Sequence, residues 1–126
     1  MSTEKNKAAL LRWLDAYNKK DLNVLDKVAD EVFAADYILH GPGFPEEVLG
    51  SEGVKKFVHQ YLQDNSDFHI TLEDMIADGD KVAGRLTMKS TNAATGKSAD
   101  DLVIFIDRFV EGKIAEEWQL SAPGQW

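Results

Sequence analysis

The chain has 126 residues, 44% hydrophobic and 29% charged, and its 14 Lys and Arg against 22 Asp and Glu leave a formal net charge of −8. This size and composition describe one soluble domain spanning 1–126, with a core of ordinary dimensions. The acidic balance argues against a nucleic-acid or anionic-membrane partner, because phosphate binding needs clustered Lys and Arg, and the lack of cysteine removes disulfides, thiol nucleophiles and thiolate metal sites.

The opening segment MSTEKNKAALLRW lacks the long apolar run of a signal peptide, and no stretch is long and apolar enough to span a bilayer. A cytoplasmic protein is the simplest expectation. A first helix starts near Ser2 or Thr3, either of which can cap it, and runs to about Lys19, with Leu10, Leu11, Trp13, Leu14 and Tyr17 forming one apolar stripe. Asp21 caps a second helix whose buried face is Leu22, Leu25, Val28, Ala29 and Val32. Asp36–His40 reads as a short strand stopped by Gly41-Pro42-Gly43, and a loop through Phe44 and Pro45 leads to Ser51, the expected cap of a third helix. That helix carries the stripe Val54, Phe57, Val58, Tyr61 and Leu62.

Strands follow. Phe68–Ile76 alternates Phe68, Ile70 and Leu72 against His69, Thr71 and Glu73, and Asp78-Gly79-Asp80 makes a hairpin turn into Lys81–Thr91. The segment Ser98–Ser121 reads as two more strands around Val110-Glu111-Gly112-Lys113. The first arm is apolar on both faces, with Val103, Phe105 and Phe109 on one side and Leu102, Ile104 and Ile106 on the other. The helices suffice for about one of those faces, so a homodimer through the other is expected. Simple alternation on the second arm sends Ile114, Glu116, Trp118 and Leu120 to the interior. A run of helices followed by a run of strands indicates an α+β fold, in which a curved antiparallel sheet packs three helices into its concave face and encloses a cavity.

The three histidines separate by face. His59 projects opposite Phe57 and Tyr61 and is assigned to solvent, while His69 lies opposite Phe68 and Ile70, facing solvent or a subunit interface. His40 shares a face with Ile38 and ends a strand just before the Gly-Pro-Gly segment, as a pocket-rim acid/base would. Its alternative is a strand-end histidine bonded to backbone. Glu116, two residues before an inward Trp118, is the second catalytic candidate, since lost hydration raises a carboxyl toward the working range of a base. Its alternatives are a local bulge that turns it outward and an ion pair with Arg85. Asp107 alternates with Phe105 and Phe109 and is read as a partly buried structural acid. The candidate ligand-binding residues are Trp13, Tyr17, Tyr37, Phe57, Tyr61, Phe105, Trp118 and Leu120, which suit an apolar cavity with few polar groups. No metal-ligand spacing, phosphate loop or Gly-x-Ser-x-Gly element occurs.

The segments DYILHGPG, LGSEGVKKF, DFHITLEDMIADGDKVAGRLT, TGK and EGKIAEEWQL resemble the SnoaL-like polyketide cyclases, or ester cyclases, within the nuclear-transport-factor-2-like superfamily. The resemblance spans essentially the whole chain. It implies a cone-shaped α+β fold and ring-closing aldol chemistry without metal or organic cofactor, with His40 at the place of the family's histidine after the first strand. Two positions depart from the pattern. Ser90-Thr91-Asn92 stands where a glycine-threonine-histidine stretch is usual, and Leu120, Ser121 and Ala122 hold the places around the aspartate to which the resemblance assigns proton transfer. Two functions are therefore carried forward: a cofactor-independent enzyme on a small apolar carbonyl compound, and a non-catalytic small-ligand binding protein. A purely structural dimerisation domain would leave His40 and Glu116 without use.

Overall fold

A computed structural model describes residues 2–44 and 48–126. Pro45, named above in the loop after Phe44, lies outside the described residues. Helix α1 (Thr3–Lys19) and helix α2 (Leu22–Val32) lead into strand β1 (Phe33–His40). Helix α3 (Gly50–Asp64) and the strands β2 (Asn65–Asp78), β3 (Lys81–Asn92), β4 (Ser98–Val110) and β5 (Lys113–Pro123) follow. The five-stranded sheet has the order β1-β5-β4-β3-β2. β1 runs parallel to β5, and the other neighbours are antiparallel. This is the α+β arrangement the order of elements predicts.

The side chains at the helix starts account for two of the helices. Ser2 accepts from the Lys5 N–H and Asp21 accepts from the N–H groups of Asn23 and Val24, each satisfying donors that a helix leaves orphaned. α3 differs from expectation. It begins one residue before Ser51, and the residue ahead of it, Leu49, offers no side-chain cap. Gly50 opens the helix at φ 68, where a side chain would run into the Ala35 carbonyl oxygen at 2.5 Å, so only glycine fits this junction of helix and β1. β1 is also longer than its sequence signal. It starts at Phe33, directly after the last residue of α2, because Phe33 and Tyr37 join the core as alternating strand residues.

All three helices lie on one face of the sheet. From α1 come Leu10, Trp13, Leu14 and Tyr17, from α2 Leu25, Val28, Ala29 and Val32, and from α3 Val54 and Val58. They meet Phe68 and Ile70 of β2, Val82 and Leu86 of β3, and Val103, Phe105 and Phe109 of β4. Leu11 and Leu22, expected on the buried stripes, are exposed at their edges. The opposite, convex face keeps the second apolar set of β4, with Ile104 52% and Ile106 40% exposed.

The hairpin of β4 and β5 turns at Glu111 and Gly112, both at positive φ. A two-residue turn of that kind matches the twist of the flanking strands. Immediately after it, the pairing slips. Phe109 lies opposite Ile114 and Arg108 opposite Glu116, which leaves Ala115 as an extra residue in β5. A one-residue slip exchanges the two faces of everything that follows.

Candidate active site

That bulge decides which side chains see the concave cavity. Beyond Ala115, strand β5 turns Glu117, Gln119 and Ser121 inward and Glu116, Trp118 and Leu120 outward. The placement expected for Glu116, Trp118 and Leu120 is thereby corrected. Trp118 is 39% and Leu120 61% exposed on the convex face, and neither lines the cavity.

The cavity has a volume of about 190 Å³. Of the aromatic candidates, Trp13, Tyr17, Tyr37, Phe57, Tyr61 and Phe105 border it. Trp13 and Phe33 meet edge-on at 4.9 Å, and Phe33 meets Tyr37 at 4.8 Å, so one wall is a continuous aromatic chain from α1 to β1. Phe44 adds to the lining from the loop after β1, and packs on Phe57 at 5.9 Å. Gly41 permits this because any side chain there would collide with the Gln119 carbonyl and the Phe44 ring.

The polar groups gather on the sheet. Asp107 and Glu117 are direct cross-strand partners on β4 and β5, and Tyr37 of β1 donates its hydroxyl to Glu117 Oε1 at 2.7 Å. Asp107 is 1% exposed, and its Oδ1 has no hydrogen-bond partner among the described residues. Burial, then the neighbouring Glu117 charge, push the Asp107 carboxyl well above the usual range. Burial raises Glu117 to about 7, partly offset by the hydrogen bonds from Tyr37 and Asp107. Burial and then Glu117 likewise raise the Tyr37 phenol well above its ordinary value. Tyr37 thus donates to a Glu117 that titrates near neutral pH, with the raised Asp107 carboxyl directly opposite it on β4. Gln119 and Ser121 follow Glu117 on the same face of β5 and supply neutral donors a strand repeat away.

His40 and Glu116 are brought together, but on the other side of the sheet. His40 Nε2 lies 2.7 Å from Glu116 Oε2, and its ring stacks on Trp118 at 5.5 Å. Arg108 completes the cluster with Nε 3.2 Å from Glu116 Oε1. The His40 bond, and then Arg108, hold the Glu116 carboxyl below its usual range, the reverse of a carboxyl raised toward a base. Of the alternatives weighed for Glu116, the outward-turning bulge is the one found, and its ion pair is with Arg108 instead of Arg85. Arg85 bonds Asp74 Oδ2 at 2.9 Å and lies over the Trp126 ring. His59 bonds Asp26 at 2.7 Å between α3 and α2, away from the cavity. Among the described residues no cluster of three or more His, Cys, Asp and Glu is arranged to hold a metal, and no helix is long and apolar enough to cross a membrane.

Glu117 is the residue that alternation alone misses, and Asp107 is the one underrated as structural. The signal for both lay in β4. Its outer face is already apolar, so Trp118 and Leu120, opposite Ile106 and Ile104, extend that face instead of entering the core.

A search of curated proteins finds no match to this chain. Solved structures share the fold. TsrD from Streptomyces laurentii superposes with a TM-score of 0.81 at 21% identity, covering 96% of this chain and 90% of that one. IdmH from Streptomyces antibioticus, named as a candidate polyketide cyclase, gives 0.75 at 24% identity, covering 92% and 91%. An epoxide hydrolase of M. tuberculosis, described as LEH-like, gives 0.76 at 17% identity, covering 95% and 84%. At these identities the likeness is one of fold. The family model for SnoaL-like polyketide cyclases matches residues 7–121. The chain belongs to the SnoaL-like polyketide cyclase family.

Proposed function

We infer that the concave cavity is a cofactor-independent acid/base site acting on a small apolar carbonyl compound, with Glu117 as the proton-transfer group. One observation carries this reading. Glu117 opens into an apolar cavity with its carboxyl held near 7 and bonded by Tyr37, and a general base works best when its pKa lies near the working pH. Proton abstraction from carbon next to a carbonyl also needs a donor for the enolate oxygen. Gln119 and Ser121 line the cavity beside Glu117, while Tyr37 is already engaged with the base. In this reading Trp13, Tyr17, Tyr37, Phe57, Tyr61 and Phe105 hold the apolar body of the substrate. Names borne by fold neighbours, a candidate polyketide cyclase and an epoxide hydrolase, support small-molecule chemistry for this architecture.

The second reading is a binding protein that has kept the cavity without turnover. It is favoured by the position of His40, the histidine expected to do the chemistry, which lies outside the cavity. Turnover of 1,3-dicarbonyl, enone and epoxide compounds by wild type and Glu117→Gln separates the two. Activity in the wild type that falls on the substitution supports the enzyme, and a wild type silent across the panel that still binds supports the carrier.

The assembly proposed is a two-fold homodimer through the convex face. Ile104 and Ile106 of β4 and Trp118 and Leu120 of β5 form adjacent exposed pairs, and a second copy would cover them with the same residues.

A further inference from the structure

Among the described residues the cavity lining has two carboxyl groups and no Lys, Arg or His. The basic side chains nearest in sequence, Arg108 and His40, lie across the sheet and are engaged by Glu116. A buried acid pair without a counter-cation either keeps its protons or awaits a cation. One acceptor is unused: Asp107 Oδ1, buried in the cavity wall, has no partner among the described residues. The adjoining wall is aromatic, with Trp13, Phe33 and Tyr37 in consecutive contact and Tyr17 against Trp13 at 5.6 Å. Aromatic rings attract a desolvated cation as well as an apolar body. The chain's net charge of −8 would draw cations to the molecule and repel anions.

We propose that the ligand of this cavity carries a single cationic nitrogen, a protonated or quaternary amine, whose charge is balanced by the Asp107–Glu117 pair and whose carbon substituents pack on Trp13, Phe33 and Tyr37. The inference rests on the reading of this cavity as the ligand site and goes with its second, binding-protein reading, because a Glu117 that balances the ligand's charge is not free to act as a base. Among the described residues, the other titratable groups that line the cavity are Tyr37 from β1, Tyr17 from α1 and Tyr61 from α3, all neutral near pH 7 with phenols raised by burial. The bound cation would therefore take over the place of the proton. Binding releases the proton of Glu117 below about 7 and releases none above it, so affinity for the cation rises with pH through that value.

Calorimetric titration with three probes of one shape tests this: choline, the alcohol in which carbon replaces its nitrogen, and the carboxylate of the same branched skeleton. At pH 8 choline should bind about tenfold or more tightly than the neutral alcohol, the scale of a desolvated cation–π contact with a counter-charge. The carboxylate should bind weakest. Choline affinity should rise between pH 6 and pH 8 while that of the alcohol stays flat. Glu117→Gln, and independently Asp107→Asn, should erase the preference for choline while keeping the binding of the alcohol. Equal affinity for choline and the alcohol, or a flat choline profile, overturns the cationic ligand and leaves the cavity as a site for neutral compounds. Failure of all three probes to bind overturns both this inference and the reading of the cavity as a ligand site.

Discussion

Glu116 and Glu117 are neighbours in the chain and look through opposite faces of the sheet. Glu116 pairs with His40 at 2.7 Å on the convex side, and Glu117 accepts from Tyr37 at 2.7 Å in the cavity. Their carboxyls move in opposite directions for that reason: His40 and Arg108 stabilise the charged form of Glu116, whereas burial penalises the charged form of Glu117. Adjacent, chemically identical residues thus provide an internal control for the assignment of the base.

For an active enzyme, Glu117→Gln should lower turnover by about 10²-fold or more, the usual contribution of a general base. Glu116→Gln should leave turnover within a few-fold of wild type, since its side chain does not line the cavity. The wild-type rate should rise with pH through about 7 as Glu117 ionises. Steady-state rates of both variants from pH 5 to pH 9 check this. Equal losses in the two variants, or a profile without a rise near 7, would remove Glu117 from the chemistry.

The same shift has a stability consequence of defined sign. An acid whose folded pKa is raised holds a proton in the folded chain that the unfolded chain has already released. Its folded state is therefore fully stable below the ordinary glutamate range and loses stability as pH rises toward about 7. Asp107, raised by burial and by Glu117, acts in the same direction. Denaturant unfolding should find Glu117→Gln on the order of 1–3 kcal/mol more favourable relative to wild type at pH 8 than at pH 5, the scale of desolvating a buried polar group. A difference that does not change between the two pH values would mean that Glu117 is solvated in the folded protein.

Much of the fold is legible in the sequence because its helices and first strands obey one period each. Leu10, Trp13, Leu14 and Tyr17 repeat as a helix stripe and are buried, and the turn residues Gly79 and Gly112 stand where chain reversal needs positive φ. The site is less legible because it depends on a single inserted residue. Alternation from Ile114 sends Glu116 and Trp118 inward, yet Ala115 breaks the count and exchanges the faces. Hydrophobicity cannot detect that slip here. Trp118 and Leu120 find apolar neighbours on the outside in Ile106 and Ile104, so both registers set apolar side chains beside apolar side chains. Polarity carries the signal instead, since only the slipped register sets Glu117 beside Asp107 and within reach of Tyr37.

The two indole rings on opposite faces give a third prediction. Trp13 lines the cavity from α1, whereas Trp118 stacks on His40 outside it. Binding of an apolar ligand should quench or shift the emission of Trp13, and a Trp118→Phe protein should keep that response. Trp13→Phe should lose it while retaining most of the affinity, because the ring wall from Phe33 to Tyr37 remains. Emission titrations on the two variants decide it, and a response that follows Trp118 would relocate the ligand to the convex face.

The fourth prediction concerns that face. β4 and β5 place Ile104 opposite Leu120 and Ile106 opposite Trp118, so four exposed apolar side chains adjoin in two cross-strand pairs. Beside them Glu116 is already neutralised by Arg108 and flanked by His40, so covering the patch need not strand an uncompensated carboxylate. A second copy related by a two-fold axis offers the same four residues in return. Light scattering at micromolar concentration should therefore give twice the chain mass of 14.1 kDa. Ile104→Glu with Leu120→Glu should shift the protein to monomer, because four like charges would face one another across the axis. Both residues are more than half exposed, so the substitutions should leave the monomer's fold and its far-ultraviolet spectrum intact. A wild type that elutes and scatters as a 14.1 kDa monomer would remove the dimer and leave the apolar outer face of β4 without a partner.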